Sequence, residues 1–255
     1  MQEAFIQMNT LTNMTVRDIA LEAPLTTRVF EKYKIDFCCG GRVPLAEACE
    51  KAGIEPSAIM SELEQVFAEH DTSSEAAAES KKQLELIDHI IQTHHAYSRS
   101  ELTRLLPLAE KVWNRHGENH PELERVMNVV QEMANELFVH MRKEEAMLFP
   151  YIEQLSRAVE RNTLPPTAPF GSVNNPVRMM MFEHDQAGEM LRELRSLTND
   201  YVPPADSCPS YKGLYAGLEA HEKDLHQHIH LENNVLFPKA IADEELCFNR
   251  VTAAA

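Results

Sequence analysis

Four long stretches in the second part of the chain carry apolar residues every three or four positions, the spacing that places them on one face of an α-helix. In the first stretch these positions include Ile87, Ile91 and Leu102. The stretches predict helices at about 82–105, 121–149, 176–198 and 211–237, the second ended or kinked by Pro150. Because strand-like alternation is scarce and the helices form two paired halves, the pattern predicts an all-α, antiparallel four-helix bundle.

The first part of the chain carries shorter helical patterns. Thr15 and Asp18 resemble a capping box with Asp in place of Glu, so a helix is expected to begin there. A turn with two glycines follows and contains Cys38 and Cys39. The polar stretch after this unit reads as a linker, although its Ala and Glu residues also suit a helix. The predicted division is a flexible extension at 1–14, a small helical domain at 15–70, a linker at 71–82, the bundle at 83–245 and a tail at 246–255.

Composition narrows the function classes. Hydrophobic residues make up 44% of the chain and aromatic residues only 7%, which agrees with a helical protein. A formal net charge of −16 argues against binding to nucleic acid or to an anionic membrane. No apolar run approaches the ~20 residues that span a bilayer, and no signal peptide opens the chain, so we expect a cytoplasmic protein. Five scattered cysteines then favour reduced thiols.

One motif occurs twice. His140 stands four residues before Glu144 and is followed by Leu-Phe-Pro, and the same pattern recurs 88 residues later at His228 and Glu232. On a helix this spacing puts the imidazole and the carboxylate on one face. Both pairs occupy inward positions of the apolar stripe, where an ordinary bundle has Leu. Because a buried carboxylate is costly without a bound cation, the repeat predicts two halves of a metal site.

The other two bundle helices are expected to add one ligand each. His184 lies in the apolar stripe of the third helix, and a shift of 89 residues selects His95 in the first helix over its neighbour His94. The complete candidate set is His95, His140, Glu144, His184, His228 and Glu232. Two histidines per metal and two carboxylates able to bridge predict a dinuclear non-haem iron or manganese centre. A structural zinc site would more often use cysteine.

The remaining polar residues of these helices have weaker signals. Glu136, Glu183 and Asp224 are candidates for hydrogen bonds to the ligands, and for Asp224 a solvated helix flank fits equally well. His221 faces inward, where a core position, a hydrogen bond to a ligand and direct ligation all remain open. The other histidines are predicted at the surface or in loops: His70, His89, His116, His120, His226 and His230.

These motifs resemble those of a known family. The paired His-x-x-x-Glu…Leu-Phe-Pro segments resemble the haemerythrin-like domain, and the stretch 33–41 with its Cys-Cys-Gly-Gly is similar to the small domain that precedes it in the repair-of-iron-centres family. The resemblance covers about residues 14–245. It implies a cytosolic di-iron protein that restores iron-sulfur clusters damaged by nitric oxide or oxidants. The four histidines are then terminal iron ligands, and Glu144 and Glu232 bridge the two irons.

The resemblance leaves the chemistry open. The first hypothesis is repair of damaged iron-sulfur proteins by nitric oxide or redox chemistry, or by iron donation, at the di-iron centre. The second is a haemerythrin-like carrier or sensor of O2 or nitric oxide, and the third is a di-iron nitric oxide reductase, so whether the protein turns over a substrate is undecided. Cys38 and Cys39 match the vicinal cysteine pair of the family and are candidates for redox or transfer thiols, or else small apolar turn residues. A homodimer through the N-terminal domain is a further expectation.

Overall fold

The computed structural model describes residues 11–23, 25–38, 40–69 and 77–253. Among these residues the secondary structure is helical, apart from an isolated antiparallel β-bridge between Thr15 and Pro44. The predicted all-α fold, a helical bundle preceded by a small helical region, is confirmed. Residues 1–10 of the predicted extension, residue 70 of the predicted small domain and residues 71–76 of the predicted linker lie outside the described residues.

Between residues 16 and 69 the described part of the N-terminal region contains four short helices. They are α1 (Val16–Glu22), α2 (Thr26–Lys32), α3 (Leu45–Ala52) and α4 (Pro56–Glu69). The side chain of Thr15 accepts a hydrogen bond of 3.1 Å from the backbone N–H of Asp18, which satisfies one of the free donors at the start of α1. Fully buried side chains from these helices, among them Ile19, Phe30 and Leu63, belong to an apolar cluster that continues into the bundle.

Four long rods form the bundle, and three of them change from α-helix to π-helix and back. Bundle helix 1 comprises α5 (Ala77–His89), a π-helical segment (Ile90–His95) and α6 (Ala96–His116); bundle helix 2 comprises α7 (Glu122–Lys143), a π-helical segment (Glu144–Leu148) and α8 (Phe149–Arg161); bundle helix 3 is α9 (Asn174–Leu197); bundle helix 4 comprises α10 (Pro209–His230), a π-helical segment (Leu231–Leu236) and α11 (Phe237–Ala253). Around the bundle, α6 packs against α7 and α10, α9 packs against α7, and α11 packs against α8.

The predicted helix ends at residues 105, 149 and 237 were wrong, because each rod continues. Pro107 lies inside α6, and bundle helix 2 passes through Pro150 to Arg161. Pro150 occupies one of the first two positions of α8, where the missing N–H and fixed φ of proline cost little. Bundle helix 4 passes Pro238 and stays helical through residue 253, so residues 246–253 of the predicted tail belong to α11. Residues 77–82 of the predicted linker are helical as well.

The small domain packs against bundle helix 4 through the segment that precedes the cysteine pair. The ring of Phe37 is fully buried and lies 5.5 Å from the ring of His230 and 6.2 Å from that of His226. Next to it, Gln227 donates a hydrogen bond of 2.6 Å to Glu31. The small domain therefore covers the side of bundle helix 4 that faces away from the interior of the bundle.

Candidate metal centre

The six candidate ligands come together in the interior of the bundle as two overlapping groups. One group contains His95 and His228, and the other contains His140 and His184. Glu144 and Glu232 belong to both groups. Within each group the ligating atoms all lie within 4.8 Å of one another, and every member is buried.

Each carboxylate reaches both groups, one oxygen to each. In Glu232, Oε1 lies 2.9 Å from Nε2 of His228, and Oε2 lies 3.1 Å from Nε2 of His184. In Glu144, Oε1 lies 3.3 Å from Nε2 of His140, and Oε2 lies 3.4 Å from Nε2 of His95. A carboxylate whose two oxygens face two neighbouring donor sets has the arrangement of a bridging ligand.

In each group, both imidazole rings direct their Nε2 atom toward the same point. Nε2 of His95 lies 3.1 Å from Nε2 of His228, and Nε2 of His140 lies 2.9 Å from Nε2 of His184. Two ring nitrogens at this distance repel each other unless a proton or a cation lies between their lone pairs. Both oxygens of Glu144 are buried and make no hydrogen bond to any residue in the described part of the chain. The donor set thus fits a pair of cations.

The π-helical segments place the ligands. His95 is the last residue of one segment, Glu144 is the first residue of the second, and Glu232 is the second residue of the third. A π-helical turn contains more residues than an α-helical turn, so it changes the direction of the side chains that follow, and such turns are frequent at functional sites. Nothing in the periodicity of the sequence predicted them.

The leucine and the phenylalanine of each Leu-Phe-Pro segment pack against the centre on one side. The ring of Phe149 stacks on His95 with centroids 5.7 Å apart, and the ring of Phe237 stacks on His184 with centroids 6.1 Å apart. Both phenylalanines and the leucines before them are buried in an apolar cluster on this side of the ligands. A second apolar cluster, which includes Met133 and Leu225, lies on the other side. The centre is therefore a polar layer between two apolar ones.

Burial and charge act in opposite directions on the ionisable groups of this layer. Burial lowers the pKa of His95, but the carboxylates of Glu144 and Glu232 outweigh it and raise that pKa to about 10. Burial raises the pKa of Glu232, yet the surrounding imidazoles hold it well below its usual range. The layer thus favours two carboxylates balanced by positive charge, which bound cations would supply in place of protons.

Three of the four histidines are oriented by a hydrogen bond at their outer nitrogen. Nδ1 of His140 lies 2.8 Å from Oε2 of Glu183, and Nδ1 of His95 lies 2.7 Å from Oε1 of Glu145. Nδ1 of His184 lies 2.8 Å from Oδ1 of Asn233. Such partners set the tautomer and hold Nε2 toward the metal. Sequence reasoning missed Glu145 and Asn233, although they occupy equivalent places directly after the repeated Glu, 88 residues apart.

Glu183 offers a test of this orienting role. We expect Glu183→Leu to weaken metal binding about 10- to 100-fold at the site formed by His140 and His184, because the ring loses its carboxylate partner. Competition titration with a chromophoric chelator measures the change. Glu189 lies on the same helix with its side chain 77% exposed, so Glu189→Leu is the control and should bind metal as the unaltered protein does. Equal affinity in both variants would contradict the role of Glu183.

The other two candidate carboxylates differ from Glu183. Glu136 is exposed and, together with Glu183, lines a groove of about 290 Å³ between bundle helices 2 and 3 that reaches His140 and His184. Asp224 accepts a hydrogen bond of 2.9 Å from Nδ1 of His94 instead of from a ligand. His94 is buried yet belongs to neither group of candidate ligands, so the structure separates it from His95 as helical phase predicted.

Three further histidines lie on bundle helix 4, and the prediction for one of them was wrong. His230 was predicted at the surface, which is wrong: it is 3% exposed, because Phe37 of the small domain covers it and Asn234 hydrogen-bonds its Nδ1 at 2.9 Å. His226 is half-buried for the same reason. His221 is fully buried and lies outside both groups of candidate ligands. His70 lies outside the described residues.

The cysteines are not part of the metal-binding groups in the part of the chain that is described. Cys38 is buried, and its thiol donates a hydrogen bond of 3.2 Å to Oδ1 of Asp36. Cys39 lies outside the described residues. Cys49 and Cys247 are buried, which agrees with a structural place for both. Within the described residues, no helix has the length and apolar character needed to cross a membrane.

Comparison with known proteins relates both parts of the chain to known families. Residues 86–240 match the family described as "Hemerythrin HHE cation binding domain", and residues 12–66 match one described as "Domain of Unknown function (DUF542)". The chain is 36% identical over 230 residues to the "Probable iron-sulfur cluster repair protein" of Haemophilus influenzae, covering 89% of this chain and 96% of the relative. It is also 36% identical over 228 residues, with the same coverages, to the "Iron-sulfur cluster repair protein YtfE" of Citrobacter koseri and of Escherichia coli O157:H7.

Proposed function

Since the chain belongs to the family of iron-sulfur cluster repair proteins with a haemerythrin-like domain, we propose that it repairs damaged iron-sulfur clusters by means of a di-iron centre. The observation that carries the proposal is the pair of buried carboxylates, Glu144 and Glu232, each shared between two pairs of histidines. A single structural cation needs only one such set, whereas two overlapping sets suit a dinuclear centre.

The residues divide into two sites. His140 and His184 would hold one iron, and His95 and His228 would hold the other, with both carboxylates bridging. Imidazole and carboxylate donors without thiolate are typical of non-haem iron in helical bundles. When bound, the iron pair would supply one-electron redox chemistry and affinity for nitric oxide or O2.

The protein surroundings perform three tasks. The outer hydrogen bonds from Glu145, Glu183 and Asn233 keep the histidine rings directed inward. The apolar clusters on both sides keep bulk water from the carboxylates, which strengthens every charge interaction in the layer. The groove beside Glu136 and Glu183 connects solvent with the site of His140 and His184. It supports the entry of a small ligand such as nitric oxide, and its carboxylates support the passage of a cation.

A repair assay tests the proposal. An iron-sulfur dehydratase inactivated by nitric oxide is incubated with the iron-loaded protein, and its activity is followed. We expect recovery with the unaltered protein, none with Glu232→Leu, and recovery with Glu245→Leu, a control at an exposed position of the same rod. Recovery that persists in Glu232→Leu would overturn the proposal.

The same assay decides whether the thiols of Cys38 and Cys39 take part in repair. If repair depends on the metal centre alone, Cys39→Ser repairs as the unaltered protein does. If the thiols transfer iron, sulfur or nitric oxide, the variant fails although its iron content is normal. Metal analysis of each preparation, with Mössbauer spectra for the coupling of the irons, accompanies the assay. One zinc per chain, or no metal at all, would contradict the di-iron centre.

A further inference from the structure

His228 differs from the other three candidate ligands at its outer nitrogen. Its Nδ1 is buried and makes no hydrogen bond to any residue in the described part of the chain. The ring of His94 stacks on that of His228 with centroids 5.8 Å apart and planes at 9°, but Nδ1 of His94 is directed to Asp224 instead. One ligand of the centre therefore lacks the orienting partner that the others have.

Two further buried polar groups lie on the same side of the bundle. His221, two helical turns before His228 on the same face of α10, is fully buried, and neither of its ring nitrogens has a hydrogen-bond partner among the described residues. The hydroxyl of Ser98 on α6 is equally buried and equally without a partner there. The ring of Tyr97 lies 6.3 Å from that of His221, so Ser98, the next residue, is at the same level of the bundle.

Burial lowers the pKa of His221 to about 4, so its ring is neutral at physiological pH. A neutral imidazole has one donor and one acceptor, and a hydroxyl has both. Buried groups of this kind are nearly always hydrogen-bonded, to protein or to ordered water. Three of them on two helices that pack together, α6 and α10, all without a protein partner among the described residues, indicate a small polar ligand such as water beside them.

The internal repeat shows that these buried polar side chains occur in only one of the two halves of the bundle, the half that contains His95 and His228. The residue 88 positions before His221 is Met133, and the residue 89 positions after Ser98 is Ala187, and both are buried. In that apolar half the ligand His140 has a carboxylate partner, Glu183. The position equivalent to Glu183 in the other half is occupied by His94. Polar side chains thus replace apolar ones in the half where the carboxylate partner is missing.

We propose that His221, Ser98 and Nδ1 of His228 line an internal site for a water molecule, through which His221 orients the ligand His228. His221 is then a positioning residue, and its role as such rests on the proposed metal centre. With this water, the two ligand histidines of each half have one anionic and one neutral hydrogen-bond partner at their Nδ1 atoms. Glu183 and Asn233 serve the first half, and Glu145 and the water held by His221 serve the second. Internal waters with two to four polar partners of this kind are integral parts of protein structures.

A high-resolution crystal structure of the full chain tests the water site directly. We expect an ordered water about 3 Å from Nδ1 of His228 and within the same distance of a ring nitrogen of His221. Apolar packing of the two rings without a water between them would overturn the proposal. This result does not depend on whether the protein repairs clusters or which metal it binds.

A variant that carries the apolar residues of the other half at positions 221 and 98 tests the positioning role of His221. We expect His221→Met combined with Ser98→Ala to weaken binding of the second equivalent of Co²⁺ about 10- to 100-fold, because His228 loses its outer partner, and His221→Gln to restore part of the affinity. The metal-depleted variant should unfold at no lower temperature, because the substitutions remove buried polar groups that lack a protein partner. Met133→Leu, at the equivalent buried position, is the control and should bind both equivalents normally.

The outcomes separate this proposal from the proposed function. Lower stability of the metal-depleted variant with unchanged affinity for both equivalents would show a merely structural role and overturn the inference. Weaker binding of the second equivalent together with normal stability supports it, whatever the repair assay shows. If the unaltered protein binds no metal, the proposed function and the positioning role fail together, while the crystal structure still decides the water site.

Discussion

Replacing Glu232 by leucine is expected to remove both metal ions from the protein, not one. Its two oxygens lie 2.9 Å and 3.1 Å from the Nε2 atoms of His228 and His184, which belong to different halves of the centre. Loss of this side chain therefore takes a donor from each half at once. Metal analysis should find about two irons per chain in the unaltered protein and almost none in the variant. Glu144→Leu should behave alike, because its oxygens also face both halves.

The matched control is Glu136→Leu. Glu136 stands one turn before His140, but it is exposed in the groove and belongs to neither group of ligands, so this variant should keep both metals. Without metal, Glu232→Leu is expected to change the free energy of unfolding little, because the histidines can lose their protons when the carboxylate is gone. A variant that retains one iron per chain would refute the bridging role.

Phe37→Ala is expected to have the largest effect on stability. The ring is fully buried and lies within contact distance of the rings of Phe30, His226 and His230, so it joins the core of the small domain to bundle helix 4. Truncating a buried phenylalanine costs about 3–5 kcal/mol in the free energy of unfolding. Urea denaturation followed by circular dichroism measures this loss, and hydrogen exchange shows whether it is confined to α1–α4.

Leu25 provides the control for this prediction. It is a large apolar residue of the same domain, but it is 48% exposed, so Leu25→Ala should change the free energy of unfolding by about 0.5 kcal/mol or less. If Phe37→Ala costs no more than Leu25→Ala, the contact between the small domain and bundle helix 4 contributes little to stability. Exposure of His230 in the variant would show as faster reaction with a histidine-modifying reagent.

Much of the fold followed from the sequence, because helical periodicity is a local property. The stripes predicted four bundle helices, and the repeated His-x-x-x-Glu pair predicted that an imidazole and a carboxylate share a face, since residues four apart are neighbours on any α-helix. The six candidate ligands that the structure brings together are those that helical phase and the internal repeat selected. The choice of His95 over His94 depended only on a rotation of about 100° per residue.

The helix ends were predicted less well, for a physical reason. Proline ends a helix in isolation, but the rods continue past Pro150 and Pro238, each of which follows a π-helical segment closely. The same segments direct Glu144 and Glu232 to the centre, and they form where tertiary packing compensates for their strained hydrogen bonds. No pattern in a single sequence reports that compensation.

The sequence by itself determined which side chains can face the interior, because their spacing along a helix defines their direction. Only the tertiary structure decided what each of them meets across the bundle. It pairs His184 with Asn233 and His95 with Glu145, covers His230 with Phe37, and gives each bridging carboxylate one oxygen for each half. These contacts join residues far apart in the chain, and they depend on the rotation and height of whole helices. Those are set by the packing of all side chains together, which no local spacing encodes.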